Sequence, residues 1–207
     1  MRSMGMAGSL GILAIAALLA LPPASAQDSP PVRVRGTIER IDGSNMVVKV
    51  RDGSELKITL ADNAMIVALV KASVADIKPG SFVGITGMPQ PDGSQRAVEV
   101  HIFPETMRGT GEGHYGWDLR PQSTMTNGNL EESVAGTDGQ ALRIKYKDGE
   151  KKIIVTPETD IVVYMPGDKS ELKPGTKIFI AAARKQPDGT LVAPRVNVGR
   201  GGIAPPM

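Results

Sequence analysis

The chain has 207 residues, with 24 Lys and Arg, 22 Asp and Glu, two His and no Cys. The lack of cysteine excludes disulfide frameworks, thiol nucleophiles and cysteine-based metal sites, and a formal charge of +2 is too small for a general nucleic-acid binder. Aromatic residues make up only 3%, whereas 24 Gly and 16 Pro make the chain rich in turns. This composition favours many short strands over long helices.

The first 26 residues have the pattern of a secretory signal peptide. Arg2 supplies a positive start, residues 11–21 are apolar, and Ala24-Ser25-Ala26 is a small-x-small cleavage pattern. The apolar run is shorter than the roughly 20 residues that cross a bilayer, and Pro22-Pro23 ends it. We therefore predict cleavage after Ala26 and a periplasmic mature chain without a membrane span; full secretion stays open as the alternative.

Several turn motifs recur along the chain at an offset of 95 or 96 residues. They are Asp42-Gly43 with Asp138-Gly139, Asp52-Gly53 with Asp148-Gly149, Ile77–Gly80 with Leu172–Gly175, and Gln90–Ser94 with Gln186–Thr190. Because the motifs keep the same order, they indicate a tandem duplication. We predict two homologous units at residues 31–104 and 127–200, joined by a connector at 105–126 and followed by a C-terminal tail at 201–207.

Within each unit, apolar residues alternate with polar ones, which is the period of a half-buried strand. The apolar sets are Val32, Val34 and Ile38; Met46, Val48 and Val50; Leu56, Ile58 and Leu60; and, in the second unit, Leu142, Ile144 and Tyr146. The two Asp-Gly pairs at residues 52–53 and 148–149 lie between such runs and predict hairpin turns. Ser73 and Ser170 are predicted to cap one short helical segment in each unit.

These elements predict an all-β protein of two tandem OB-like small β-barrels. Each unit offers about five strands and one short helical turn, which suits a small barrel of the OB type. Closing the sheet into a barrel removes the exposed strand edges that a small open sheet would leave. Since a unit of this size is marginal by itself, the two units are expected to dock.

The order of the motifs resembles that of a known group of proteins. A strand, an Asp-Gly hairpin, a Lys-Pro-Gly turn and a Gln-Pro-Asp-Gly turn follow one another in both units. This order is similar to that of an uncharacterised bacterial domain family with an OB-like barrel, which occurs singly or repeated in exported proteins. The resemblance implies the fold, and it implies no particular chemistry.

The connector contains residue types that are rare elsewhere in this chain. Trp117 is the only tryptophan, and His114 and Tyr115 lie beside it. A tryptophan between two small domains usually packs at their interface, and nearby glycines allow tight chain reversals. We therefore expect the connector to contribute to an interface or ligand region. The expected residues are Phe103, Arg108, His114, Tyr115, Trp117 and Arg120.

A soft-metal site is the alternative interpretation of the same region. His101, expected in an outward position on the last strand of the first unit, and His114 lie near two methionines in sequence. Imidazole and thioether groups together suit copper, particularly Cu(I). No pair of them has a fixed His-x-x-His spacing, so both interpretations stay open. The alternative metal ligands are His101, Met107, His114 and Met125.

Other functions have less support in the sequence. Gly111–Gly116 matches the dinucleotide pattern GxGxxG, but Pro121 prevents the helix that this motif requires. Basic residues on outward strand faces are nearly balanced by acidic ones, which argues against nucleic acid and leaves an anionic envelope polymer open as a partner. The chain also lacks a GxSxG elbow. We predict a non-catalytic exported binding or scaffold protein for a periplasmic protein or small ligand, with no cofactor unless copper binds.

Overall fold

The computed structural model describes residues 30–137 and 139–207. The signal peptide predicted at residues 1–26 lies outside these ranges. Within them the protein is all-β, with 60% of residues in strands and no helix of seven residues or more, which confirms the predicted class. In the same ranges, no helix has the length and apolar character needed to cross a membrane.

Strands account for almost all of the regular structure. They are β1 (Val32–Asp42), β2 (Asn45–Val50), β3 (Glu55–Lys71), β4 (Phe82–Pro89), β5 (Gln95–Ile102), β6 (Gly113–Gly116), β7 (Thr124–Gly136), β8 (Gly139–Tyr146), β9 (Gly149–Val155), β10 (Asp160–Pro166), β11 (Lys177–Lys185) and β12 (Leu191–Gly199). Short 3-10 helices are at Val74–Asp76, Glu105–Met107, Lys169–Glu171 and Arg200–Gly202.

Five strands form a closed β-barrel, here named ring A. Its hydrogen-bonded order is β12-β11-β1-β2-β3, and the parallel pairing of β12 with β3 closes it. The predicted alternation is confirmed in its strands, since Val34, Ile38, Val48 and Ile58 lie in the buried core. A barrel of this size is filled by its own side chains.

A second ring of five strands, ring B, has the order β5-β4-β7-β8-β9. It closes where β9 meets β5 in parallel, through the pairs Gln95↔Ile153 and Arg96↔Ile154. Leu142 and Ile144 are buried in its core, as their alternation predicts. After a turn, β10 pairs with β5 of ring B and with β3 of ring A, so that the two rings share one sheet.

Each ring takes strands from both sequence units. Ring A combines β1–β3 with β11 and β12, whereas ring B combines β7–β9 with β4 and β5. This differs from the expectation that residues 31–104 and 127–200 each close a separate barrel. The reason is the length of β3, whose 17 residues carry the chain out of ring A and into ring B before β4 begins.

The hydrogen bonds of the two Lys-Pro-Gly turns also cross between the two sequence units. Gly80 N–H donates to Leu130 O, and Gly175 N–H donates to Ile38 O, both at 2.8 Å. Each turn therefore bonds to a strand of the other unit. In both, the glycine has a positive φ, 81° for Gly80 and 86° for Gly175, which is a backbone region that glycine enters without strain.

The predicted hairpins and helical turns form with one change. β2–β3 and β8–β9 are antiparallel pairs connected at the two Asp-Gly sequences. Ser73 precedes the first short helix, and its N–H donates to Asp76 Oδ2 at 2.8 Å. The second helix is capped by Asp168 rather than Ser170, because the Asp168 carboxylate accepts from Ser170 N–H at 2.8 Å.

A third buried cluster lies between the two rings, in the region that we name the seam. It contains Val67, Leu69, Phe82, Phe103, Met107, Met125, Val162, Tyr164, Phe179 and Met207, and Trp117 packs against it. Its members come from the outer faces of ring strands, from the connector and from the C-terminal tail. The seam therefore buries surface that two isolated barrels would leave in water.

Candidate functional site

A cavity of about 230 Å³ opens at the seam, and we name it the seam cavity. Its walls are largely aromatic, formed by Phe103, Tyr115, Trp117, Tyr164 and Phe179. A concave, mostly apolar space with a few polar groups is the usual form of a small-molecule site.

Strand alternation positions the polar groups of the cavity. On β5, Val100 points into the core of ring B, so its neighbours Glu99 and His101 face the seam. On β12, Val196 points into the core of ring A, so Arg195 and Asn197 face the seam from the opposite side. The two rings thus present an acid–imidazole pair and a guanidinium–amide pair across one space.

Glu99 and His101 form a buried pair. Glu99 is fully buried, and its carboxylate accepts hydrogen bonds from Thr86 N–H at 3.2 Å and Thr86 Oγ1 at 2.6 Å. His101 Nδ1 lies 3.1 Å from Glu99 Oε2. The expectation of an outward His101 is corrected: the side chain points away from the core of ring B, but Phe103 and Tyr164 of the seam pack against it, and only 3% of the residue is exposed.

Gly84 makes room for His101. A Cβ on residue 84 would lie 2.0 Å from His101 Nε2 and 2.5 Å from Asn127 Oδ1, which no side chain permits. Glycine is therefore required for the close approach of these two groups to β4. Across the seam, β11 and β12 carry Phe179 opposite Asn197 where β4 and β5 carry Gly84 opposite His101.

Three buried side-chain atoms lack a hydrogen-bond partner within residues 30–137 and 139–207. They are Trp117 Nε1, Asn127 Oδ1 and Asn197 Oδ1, and all three residues line the seam cavity. An unpaired buried polar atom costs about 1–3 kcal/mol, so such atoms are rare and usually have a role. Because the three residues share one cavity, that cavity is the candidate site.

The side-chain amides of Asn127 and Asn197 are oriented by the hydrogen bonds that their Nδ2 groups donate. Asn127 Nδ2 donates to Thr110 O and Gly111 O, both at 3.1 Å, and to Tyr115 Oη at 3.2 Å. Asn197 Nδ2 donates to Phe179 O at 3.1 Å. With both amide nitrogens engaged, each side chain offers its oxygen as a free acceptor.

The charges at the cavity are unequally compensated. The Arg33 guanidinium lies 4.0 Å from the Trp117 ring centroid and 3.7 Å from Asp118 Oδ2. Burial favours a higher pKa for Asp118, but the hydrogen bond and charge of Arg35, with Arg33, lower that pKa below its ordinary value. In contrast, Arg195 has no carboxylate within 4.0 Å in the described part of the chain.

Tyr164 forms one wall beside the histidine. Its ring centroid is 5.4 Å from that of His101, and the Phe103 ring is 4.8 Å from His101 on another side. Burial raises the pKa of the Tyr164 phenol well above its ordinary value, Glu99 raises it further, and Arg195 opposes the shift. The phenol therefore stays neutral, and it contributes to the cavity as an aromatic wall.

The sequence-predicted interface residues divide into two groups. Phe103, Tyr115 and Trp117 line the seam cavity. Arg108 lies outside it, with Nε donating to Glu105 Oε1 at 2.6 Å, and Arg120 belongs to a turn in which its N–H donates to Ser123 Oγ at 3.1 Å. His114 lies on the opposite face of β6. Sequence reasoning missed Gly84, Glu99, Asn127, Tyr164 and Asn197; the matched positions of His101 and Asn197 in the two units were the available signal.

The four alternative metal ligands are only partly brought together. His101 and Met125 line the cavity, and Met107 is buried in the same cluster. His114 is separated from them because β6 pairs Tyr115 with Met125 and His114 with Thr126, so alternation turns His114 away. Its Nδ1 lies 2.8 Å from Thr126 Oγ1, and burial and nearby Lys151 lower its pKa.

Neither similar proteins nor a metal-binding cluster among the described residues identifies a function for this chain. Searches against protein-family models, curated protein sequences and solved structures found no match. Within residues 30–137 and 139–207, no group of three or more His, Asp and Glu side chains is arranged to hold a metal ion.

Proposed function

We propose that this protein is a non-catalytic binding protein that holds a small molecule in the seam cavity. One observation carries the proposal: Trp117 Nε1, Asn127 Oδ1 and Asn197 Oδ1 are buried with no hydrogen-bond partner among the described residues, and their residues line the same cavity. A ligand with complementary donors and acceptors would remove this cost, and its apolar part would contact the aromatic walls. Asn127 and Asn197 lie on strands, which hold their groups in fixed positions, and Trp117 lies between β6 and β7.

The proposal also includes export of the protein and its origin by tandem duplication. The pattern of residues 1–26 supports delivery of the mature protein to the periplasm, where the ligand or a partner protein would be met. The recurring turn motifs support an origin by tandem duplication and the resemblance to the bacterial exported domain family. In this proposal, divergence between the copies produced the site, because His101 and Asn197 occupy matching positions with different chemistry.

Trp117 provides a direct test, since it is the only tryptophan and it lines the cavity. We would titrate purified mature protein with a panel of single small molecules grouped as amino acids, amines, carboxylates and neutral sugars, and follow tryptophan fluorescence and the melting temperature. At least one class is expected to shift both signals saturably. Gly84→Ala should abolish the response, because its Cβ would occupy the space of His101 Nε2.

Gly116→Ala is the matched control, because a Cβ there would meet no atom within 4 Å. It should retain the response. A response that survives in Gly84→Ala, or a panel that produces no response in the parent protein, would contradict the proposal. Asn197→Leu is a second variant that removes a free acceptor without adding bulk near Gly84.

Copper is a second candidate, favoured by a specific observation. His101 and Met125 line the same cavity, and Glu99 holds the imidazole through Nδ1 in the manner of carboxylates behind metal-binding histidines. Cu(I) titration should then give one-to-one binding that is lost in His101→Ala and kept in His114→Ala. Equal loss in both variants, or binding weaker than about 1 μM, would remove this candidate.

A further inference from the structure

We infer that the seam cavity binds a small zwitterion that carries an ammonium group, a carboxylate group and an apolar side chain. The inference rests on the proposed function and specifies its ligand class. It is argued from the acceptors, the uncompensated guanidinium and the aromatic walls of the cavity.

The acceptors define one end of the ligand. Asn127 Oδ1 and Asn197 Oδ1 belong to residues that are 5% and 3% exposed, and neither oxygen accepts a hydrogen bond within the described residues. A ligand that satisfies them must donate at least two hydrogen bonds, and an ammonium group has three donors. The buried Glu99 carboxylate behind His101 favours positive charge at this end.

Aromatic walls also favour a cation here. Phe103 and Tyr164 flank His101 at ring-centroid distances of 4.8 and 5.4 Å. The faces of such rings attract an ammonium group, and the attraction is strongest where water is excluded. A neutral hydroxyl would satisfy the amide oxygens but would gain nothing from the rings or from Glu99.

Arg195 defines the other end of the ligand. It lies two residues before Asn197 on the seam face of β12, so its side chain starts about 7 Å away along the strand. Arg33 already has Asp118 nearby, whereas Arg195 has no carboxylate within 4.0 Å among the described residues. A guanidinium group binds a carboxylate through two parallel hydrogen bonds.

Only a molecule with both charges suits the whole cavity. An amine without a carboxylate would be repelled by the positive charge of Arg195. A carboxylate without an amine would be repelled by the two acceptor oxygens near Glu99. Because Arg195 and Asn197 lie two residues apart on one face of β12, one small molecule can contact both. Met125 and Phe179 then offer an apolar surface to a side chain.

The test uses three compounds with one carbon skeleton. They are L-leucine, 3-methylbutylamine, which lacks the carboxylate, and 4-methylpentanoate, which lacks the amine; glucose represents a neutral donor-rich molecule. Binding to the full mature protein is measured by calorimetry and by Trp117 fluorescence. We expect leucine to bind at least tenfold more tightly than either half-molecule or glucose, and Gly84→Ala to abolish its binding.

Charge variants separate the two ends. Arg195→Gln should weaken leucine at least tenfold and leave 3-methylbutylamine binding unchanged or tighter, because a repulsion is removed. Arg184→Gln, at an exposed position of β11, is the matched control and should change neither. The melting temperature of each variant is measured first, so that a fold defect is not taken for a loss of binding.

Each outcome decides between the inference and the proposed function. Equal binding of leucine and one half-molecule, or leucine binding that survives Gly84→Ala, overturns the zwitterion. If leucine fails and glucose or another compound of the panel binds in a Gly84-dependent way, the ligand class is wrong and the seam cavity remains the site. If no compound binds in that way, both the ligand class and the proposed function are wrong.

Discussion

Leu69 of β3 and Tyr164 of β10 lie opposite each other at the middle of the five residue pairs that join ring A to ring B. The pairing is antiparallel and includes two further residue pairs on each side of this point. Both side chains are buried in the seam cluster, and Tyr164 also contacts His101. The candidate site therefore lies beside the strand pairing that links ring A to β10 and, through β10, to ring B.

The exchange of strands predicts that the two halves of the chain stay together after the connector is cut. A protease site inserted at the exposed Gly109 would leave β1–β5 on one fragment and β6–β12 on the other. Since ring A needs β1–β3 from the first fragment and β11–β12 from the second, we expect the cut protein to elute from a sizing column with the volume of the uncut protein. The fragments should separate only in denaturant.

Uncut protein with the same insertion is the control for the effect of the added residues. Two barrels closed by consecutive strands would behave differently, because their fragments would be joined only through surface contacts. Separation of the fragments in native buffer would therefore contradict the strand exchange. Native mass spectrometry also shows whether the two fragments stay in one complex, and its result does not depend on molecular shape.

Two glycines at matching places in the rings are predicted to be essential for strand packing. A Cβ on Gly36 would lie 2.4 Å from Lys49 O, and a Cβ on Gly128 would lie 2.4 Å from Lys145 O. Alanine at either position must displace a neighbouring strand, which we expect to lower the free energy of unfolding by about 1–3 kcal/mol. Urea denaturation measures this, with Gly116→Ala as the unhindered control.

A loss below about 0.5 kcal/mol in both alanine variants would contradict the close strand approach. A loss in one variant alone would show that the rings differ in their tolerance at this position. Glycine is needed here for space, and Gly36 and Gly128 do not have the positive φ of the turn glycines.

Local features of the fold could be predicted from the sequence. The Asp-Gly and Lys-Pro-Gly turns depend on backbone preferences that lie within a few residues, and Gly53 and Gly175 have the expected positive φ. The alternation around Ile38 and Ile144 identified buried faces, because the period of two belongs to the strand itself. The turn residues and the alternation can both be read from the sequence without knowing which strand pairs with which.

Strand partners and the site could not be predicted in the same way. Alternation indicates that a face of β5 is buried, but it is silent on whether β12 or β9 lies beside it. For His101 the pattern gave the correct direction, away from Val100, and the wrong environment, because Tyr164, which packs against it, comes from distant sequence. Asn127 and Asn197 look like ordinary surface residues until both rings are assembled.

Trp117→Ala is predicted to destabilise the seam. The ring packs against Phe179 at a centroid distance of 6.3 Å and carries the Arg33 guanidinium on its face, so truncation removes both contacts. Because the indole is only half-buried, we expect a loss of about 2–3 kcal/mol, less than for a fully buried tryptophan. Trp117→Phe should keep most of this stability, since it retains a ring and removes an unpaired N–H.

Urea unfolding followed by circular dichroism measures both tryptophan variants without relying on tryptophan fluorescence. An alanine variant as stable as the parent would contradict a packing role for the connector. A phenylalanine variant as unstable as alanine would indicate that the indole N–H has a partner in solution, which would itself bear on the ligand site.

Tyr164 is predicted to make the protein sensitive to alkali. Burial, with a contribution from Glu99, raises the pKa of its phenol above the ordinary value of 10.0. Above pH 10 the unfolded chain therefore loses a proton that the folded chain keeps, so this part of the stability is complete below pH 10 and falls as the pH rises. The slope approaches about 1.4 kcal/mol per pH unit for one group.

Tyr164→Phe removes this proton, so its free energy of unfolding should fall less than that of the parent between pH 8 and pH 11, by about 1 kcal/mol. Urea denaturation at both pH values gives the difference directly, and losses due to lysine deprotonation cancel because the two proteins share every lysine. Tyr146→Phe, at a half-exposed position of β8, is the matched control for removal of a tyrosine hydroxyl. If Tyr164→Phe and the parent lose equal stability over this interval, the Tyr164 phenol is already ionised in the folded protein or is open to water, and the burial of the seam cluster around it is incorrect.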